Sequence, residues 1–419
     1  MPALISVCAV GVSWFADRWL SRLLCFANRH IKLVRMLPSP TTTLPRIAST
    51  LVSLAILLVE PFDARQAAAG DENPAQIGLD VFVSGREGYH TFRIPSLIVT
   101  AKGTLLAFCE GRKTGRADDG DIDLVLRRSA DAGKSWLPIE LVHEEGGTAS
   151  ITIGNPCPVL DQATGTIWLS FCRNNDDVFV TSSNDDGLTW APPRTITADV
   201  KEPDWSWYAT GPGVAIQLRH GPRKGRLVIP CDHGKQIDGK RVMYSHALFS
   251  DDHGQTWKLG GTVAPHTDEC QVVELADGQL LMNMRNYWGR DGKRPDRGGM
   301  RAIARSGDGG ATWSSLDFDK TLIEPLCQAS LIGFPNPRQP ADAVLLFSNP
   351  ASREARRRLT VRASFDGGKS WPVTRLIDDG SAAYSCLALL PSARVGLLYE
   401  RDDYKRITFT EFVIEIPNT

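Results

Sequence analysis

One eight-residue pattern recurs five times in this chain: Ser, any residue, Asp, any, Gly, any, Ser or Thr, Trp. The copies run from Ser129 to Trp136, Ser183 to Trp190, Ser250 to Trp257, Ser306 to Trp313 and Ser364 to Trp371. Their starts are separated by 54, 67, 56 and 58 residues. A unit of that size cannot bury its own hydrophobic face, so recurrence at this period requires neighbouring units to cover one another. The repeat therefore limits the architecture before any reactive residue is considered.

Short alternating runs precede the copies, among them residues 123–128, 177–181, 245–249 and 359–363. Alternation bounded by Gly and Asp reads as half-buried strand, which makes each copy a hairpin turn. In such a turn the Gly adopts positive φ, the Asp carboxylate accepts backbone N–H groups and the Trp supplies a large apolar plug. Five equal copies cannot all be one active site, so their Ser, Asp and Trp are read as turn chemistry. The body of the chain shows no long helical period. An all-β chain of repeated four-stranded sheets is a β-propeller. Residues 76–419 suit six blades of about 50 residues each, one of them without the pattern.

The 47 basic and 48 acidic residues nearly balance, and no basic run is long enough to imply nucleic acid. Residues 1–35 carry neither the pattern nor a strand signal and read as a dispensable or non-native extension. Met36 opens a better-formed unit, with Arg46, an apolar run at 48–59 and the small residues Ala67, Ala68 and Ala69. That order is a secretory signal over 36–69, too short for a membrane span. A mature start near Gly70, a secreted or periplasmic location and no stable membrane association after cleavage are expected. Cleavage would remove Cys8 and Cys25. The other seven cysteines lack paired spacing for zinc and read mostly as small buried hydrophobes. No metal is expected.

Arg93 lies in the first propeller strand within Phe92-Arg93-Ile94-Pro95. That tetrapeptide, together with the five boxes, resembles the exo-sialidase (neuraminidase) family over nearly the whole chain after the signal. The resemblance implies a clamp of three arginines for a substrate carboxylate. Arg93 matches the first and Arg285 the second. Arg356 matches the third, with Arg357 and Arg358 as adjacent alternatives. Glu400 matches the residue that orients the first arginine, and Arg112 one that lines the pocket floor. Guanidinium groups suit this task independently, because they stay charged and bind carboxylates bidentately.

Tyr384 matches the family's catalytic tyrosine. Sialidases depart from the usual pair of carboxylates in this respect. A neutral phenol avoids the repulsion that a carboxylate nucleophile would meet at an anomeric centre already bearing a carboxylate. A phenol with an ordinary pKa of about 10 needs a base beside it. Glu269 matches that partner, with Glu274 as the local alternative. The acid/base falls in the Gly- and Asp-rich loop after Arg112, where Asp118 fits the family spacing and Asp119 is adjacent. Asp121 and Asp123 are read as structural. Trp205, Trp207 and Tyr208 are either sugar-stacking aromatics or core.

The resemblance implies a retaining exo-α-sialidase acting on terminal sialic acids of glycans and glycoconjugates. It implies no metal or organic cofactor, and a monomer is expected. Two other readings stay open: a non-catalytic carbohydrate-binding propeller, and a propeller glycosidase or lyase acting on another acidic sugar.

Overall fold

The computed structural model of the protein describes residues 78–415, apart from 148, 290–295 and 337–342. The extension expected over 1–35 and the signal expected over 36–69 lie outside the described residues. Within them the only α-helix is the four-residue α1 (Thr197–Val200); everything else regular is strand or a three-residue 3-10 turn.

The strands hydrogen-bond antiparallel into five sheets. The first contains β2 (Thr91–Val99), β3 (Leu105–Arg112), β4 (Ile122–Ser129) and β5 (Glu140–His143). The second contains β6 (Ile153–Leu160), β7 (Ile167–Arg173), β8 (Asp177–Ser183) and β9 (Arg194–Thr195). In the third, β10 (Trp205–Thr210) and the short β11 (Ile216–Gln217) both pair with β12 (Leu227–Ile237), followed by β13 (Lys240–Ser250) and β14 (Lys258–Thr262). The fourth contains β15 (Thr267–Glu274), β16 (Leu280–Asn286), β17 (Met300–Ser306) and β18 (Asp317–Ile323).

The last sheet has seven strands: β19 (Ser330–Pro335), β20 (Ala343–Pro350), β21 (Arg357–Ser364), β22 (Val373–Leu389), β23 (Val395–Arg401), β24 (Arg406–Phe412) and, closing its edge, β1 (Leu79–Val83). Six separate sheets are therefore not formed. The reason is β22, an unbroken 17-residue strand whose first part pairs with β21 and whose second part pairs with β23.

The inner strands of successive sheets pack against one another: β2 on β6, β6 on β10, β12 on β15, β15 on β19, β19 on β22, and β22 back on β2. The succession closes into a ring, giving a propeller-like all-β fold. Between sheets the core is apolar, with aliphatic and aromatic side chains mixed. Leu106, Phe108 and Leu124 of the first sheet, for example, pack on Ile153, Leu169 and Phe171 of the second. The cysteines at 109, 157, 172, 231, 270, 327 and 386 are all free and buried.

Each box joins the third and fourth strands of a repeat. In the first, Ser129 Oγ accepts from Gly133 N at 2.8 Å, and Asp131 accepts from Ser135 N at 2.9 Å; the other four copies repeat both bonds. The turn also reaches into the preceding sheet. Trp136 packs edge-on to Phe409, Trp190 to Phe108 and Trp257 to Trp168. In the first three boxes the glycine is needed for space as well as for backbone conformation. Gly254 has φ +84°, and a Cβ there would sit 2.2 Å from the Trp168 indole.

Gly165 separates these two requirements, since it has φ +76° and nothing within 4 Å of its would-be Cβ. Gly165→Ala is expected to cost about 1–2 kcal/mol, for left-handed backbone alone. Gly254→Ala is expected to cost a further 1–3 kcal/mol or so from overpacking at the sheet interface. Urea denaturation of the two variants side by side measures the difference; equal midpoints would show that the box glycine is not a packing element.

Candidate active site

Three hub strands, β2, β15 and β22, present their side chains from irregular positions. The β2–β3 register shifts between Arg93 and Ser96. The β15–β16 register shifts between Thr267 and Cys270, and the β22–β23 register between Ala382 and Ser385. Bulges of this kind turn a side chain away from its alternating direction. They carry Asp268 and Glu269 on β15, and Ala383 and Tyr384 on β22. On β2 the shift leaves Ile94 with φ +62°, an outlier for a β-branched residue, followed by Pro95. All of these positions lie at the opposite end of the strands from the boxes. In the first sheet, for example, Arg93 pairs with Glu110 while Ser129 of the box pairs with Leu105.

Glu400, near the end of β23, is completely buried. Its Oε1 accepts Arg93 Nε at 2.7 Å and the Ile94 N–H at 2.9 Å, and its Oε2 accepts the Tyr384 N–H at 3.1 Å. Burial disfavours the Arg93 charge, but Glu400, and after it Tyr384, outweigh that and hold the guanidinium firmly protonated.

Tyr384 is buried beneath this pair, and its hydroxyl donates to Glu269 Oε1. Arg285 Nη1 donates to Glu269 Oε2 at 2.7 Å and to Tyr384 Oη at 3.1 Å. Burial, and then the Glu269 carboxylate, push the phenol well above its usual range, so it rests neutral. Burial also raises the Glu269 carboxyl, against the pull of Arg285. A neutral phenol is thus hydrogen-bonded to a buried carboxylate.

Arg356 lies above the Tyr384 ring, 5.5 Å from its centroid, and donates to Tyr404 Oη at 3.1 Å and Leu326 O at 3.3 Å. Its neighbours do not reach the site: Arg357 is exposed with Glu354 4.0 Å away, and exposed Arg358 pairs with Asp379. Across the hub Arg112 is held by buried Glu110, through Nη2 at 2.7 Å and Nε at 3.0 Å. Asp118 Oδ1 stands 2.8 Å from Arg112 and 3.9 Å from Arg93, with its side chain 76 % exposed. Asp119 makes no ion pair among the described residues. Lys113 binds Asp121 and Asp123, and the Tyr89 hydroxyl donates to Asp123, so these two acids tie down the loop base.

Arg93, Arg112, Asp118, Glu269, Arg285, Arg356, Tyr384 and Glu400 thus form one connected cluster. Glu274 lies outside it; its carboxylate accepts the backbone N–H groups of Arg219 and His220. Trp205 and Tyr208 are core, not sugar platforms. Trp205 is stacked on His233 at 3.5 Å, and the Tyr208 hydroxyl is bonded to His246 at 2.9 Å. Their side chains fall on the buried face of β10. Trp207, on the other face, donates its indole N–H to Asp232 at 3.0 Å.

Sequence reasoning missed Glu110, Asp268 and Tyr404. The first had a signal, since Glu110 and Arg112 are two apart on one strand and so share a face. Asp268, 3.6 Å from Arg285, adds a further acid beside Glu269. Gly154 lets Glu110 in, for a Cβ there would lie 2.3 Å from the carboxylate.

The His233 and His246 rings share a hydrogen bond between their Nδ1 atoms at 3.0 Å, and both are fully buried. Burial lowers His233 from 6.5 to about 3 and His246 well below its usual value. Both stay neutral in the fold, whereas the unfolded chain protonates them below pH 6.5. Their contribution is complete above pH 6.5 and is lost as pH falls toward 3, by about 1.4 kcal/mol per unit for a single ring. His233→Asn should therefore flatten the dependence of unfolding free energy on pH between 6.5 and 4. An unchanged slope would mean the rings are protonated in the fold.

Residues 103–397 match the family model described as a BNR repeat-like domain. The chain is 37% identical over 376 residues to a sialidase of Micromonospora viridifaciens, covering 83% of this chain and 56% of that protein. It is 32% identical over 356 residues to a sialidase of Bacteroides fragilis, covering 78% and 62%. It thus spans less than two thirds of either relative. Among solved structures, a Hadza microbial sialidase superposes with a TM-score of 0.72 at 33% identity, over 80% of this chain and 68% of that one. The chain belongs to the sialidase family built on BNR repeats.

Proposed function

We propose that the protein is a retaining exo-α-sialidase, releasing terminal sialic acid from glycans and glycoconjugates through a tyrosine nucleophile. One observation carries this reading: the Tyr384 hydroxyl is bonded to buried Glu269 while Arg93, Arg285 and Arg356 all surround the same phenol. A cationic cradle suits a substrate carboxylate, and the phenol faces the carbon that bears it.

In the proposed sequence the three arginines hold the sugar carboxylate throughout. Asp118 protonates the leaving oxygen as the glycosidic bond breaks. Tyr384 Oη bonds to the anomeric carbon from the opposite face and passes its proton to Glu269. Water then attacks that carbon, giving a proton to Asp118, and Glu269 returns its proton to the departing phenol. Two displacements give net retention. The nearby guanidinium groups of Arg285 and Arg356 oppose the rise of the Tyr384 pKa, which favours the phenolate character that develops in the attack.

The same reading takes the fold as six blades. The two parts of the seven-stranded sheet, divided within β22, pack face to face through Val344, Leu346 and Val361 against Leu387, Val395 and Leu397, as neighbouring blades do. Export through residues 36–69 to a secreted or periplasmic location, and action as a monomer, belong to the proposal as well.

Hydrolysis of an aryl α-sialoside, with an aryl uronide as comparison, tests the substrate class; uronide turnover without sialoside turnover would overturn it. Tyr384→Phe is expected to lose most sialoside turnover, and Arg93→Ala to raise KM and lower kcat. Asp118→Ala should cost about 10²–10⁴-fold with a sugar leaving group and less with an acidic phenol, which needs less protonation. Equal losses for both leaving groups would remove Asp118 from the acid role.

A further inference from the structure

Asp402, Asp403 and Tyr404, three successive non-glycine residues, take φ of +51°, +52° and +66° in the turn between β23 and β24. L-residues avoid this region, and such outliers persist only where their surroundings over-determine them. Here the turn is anchored on both sides. Ser84 Oγ donates to Tyr404 O at 2.8 Å, the Ser84 N–H donates to Lys405 O at 2.9 Å, and the Asp403 N–H donates to Ser381 Oγ at 3.3 Å. Asp402 also binds Arg406 at 3.1 Å.

The turn delivers one side chain to the site. The Tyr404 ring lies 4.3 Å from the Arg93 guanidinium, and its hydroxyl accepts Arg356 Nη1 at 3.1 Å. The three clamp arginines are not equivalent. Arg93 is neutralised by Glu400 and Arg285 by Glu269. Arg356 makes no ion pair among the described residues, and its hydrogen bonds go to Tyr404 Oη and Leu326 O, both uncharged. Neutral acceptors fix a guanidinium without cancelling its charge. A carboxylate at position 404 would fix Arg356 equally well but would spend its attraction for an incoming acid.

We infer that Tyr404 is a positioning residue for the clamp. Its hydroxyl aims the one uncompensated guanidinium, that of Arg356, and its ring faces Arg93, so that residue 404 sets the affinity for the substrate carboxylate. This rests on the sialidase reading above. The carboxylate is held in both ground and transition states, so loss of the tether should weaken both alike. That signature is a raised KM with little change in kcat.

The test is Tyr404→Phe, assayed on an aryl sialoside with and without Arg356→Ala. The single variant should raise KM by about 3- to 10-fold, the net worth of one typical intramolecular hydrogen bond, with kcat nearly unchanged and the thermal midpoint unmoved. In the Arg356→Ala background, read as kcat/KM at low substrate, the same change should have almost no effect. Tyr404→Ala, which also removes the ring from Arg93, should exceed Tyr404→Phe. An unchanged KM in Tyr404→Phe, an equal factor in both backgrounds, or a fall in kcat at constant KM would each overturn the assignment. A wild-type protein that turns over no sialoside would fail the functional reading instead. Calorimetric binding of free sialic acid to wild type and Tyr404→Phe would then decide the tether on its own, with equal affinities counting against it.

Discussion

The hub depends on one buried carboxylate. Glu400 gives one oxygen to the Arg93 guanidinium and the Ile94 N–H, and the other to the Tyr384 N–H. It therefore ties the first long strand to the last sheet at the point where clamp and phenol meet. A buried carboxylate left with any of these donors missing is costly, so the three bonds hold or fail together. The left-handed Ile94 sits at the same contact, its N–H donating to Glu400. Phe-Arg-Ile-Pro is thus a conformational signature as much as a chemical one. It bulges the strand, and Glu400 locks the bulge.

Two carboxylate–guanidinium pairs repeat this logic at different blades. Glu110 holds Arg112 and Glu269 holds Arg285, each acid buried and each arginine reaching toward the hub. The pairing lets several positive charges gather in a small space without expelling one another. Arg356 makes no ion pair among the described residues, and that residual charge is what the proposed cradle offers to an acidic sugar. Tyr384 completes the balance. Kept neutral by burial and by Glu269, it adds no negative charge beside the surrounding guanidinium groups.

The fold was largely readable because the box is local turn chemistry. Its Ser, Asp and Gly act within eight residues, so the pattern survives in one dimension. The count of separate sheets was not readable, because nothing in residues 373–389 announces that one strand serves two neighbours. The residues that meet at the hub were picked out through residue types at spacings that match a family, and spacing alone separated Arg356 from Arg357 and Arg358. Their physical distinction is three-dimensional: Arg357 and Arg358 start a strand and point to solvent, while Arg356 precedes it. Tyr404 was invisible because three left-handed residues in a row have no sequence signal when none is glycine. Trp205 and Tyr208 were ambiguous because an aromatic on a strand faces core or solvent according to register, and only the pairing with β12 fixes that.

The central claim is that the phenol of Tyr384 bonds to the sugar. The most direct measurement is peptide mass mapping of protein quenched in acid during turnover of a sialosyl fluoride carrying a second fluorine at C3, whose inductive pull slows both displacements. A fluorosialyl adduct on the peptide containing Tyr384, absent from Tyr384→Phe, is expected. An adduct on Glu269 or Asp118, or continued turnover with no adduct on Tyr384, would contradict the account.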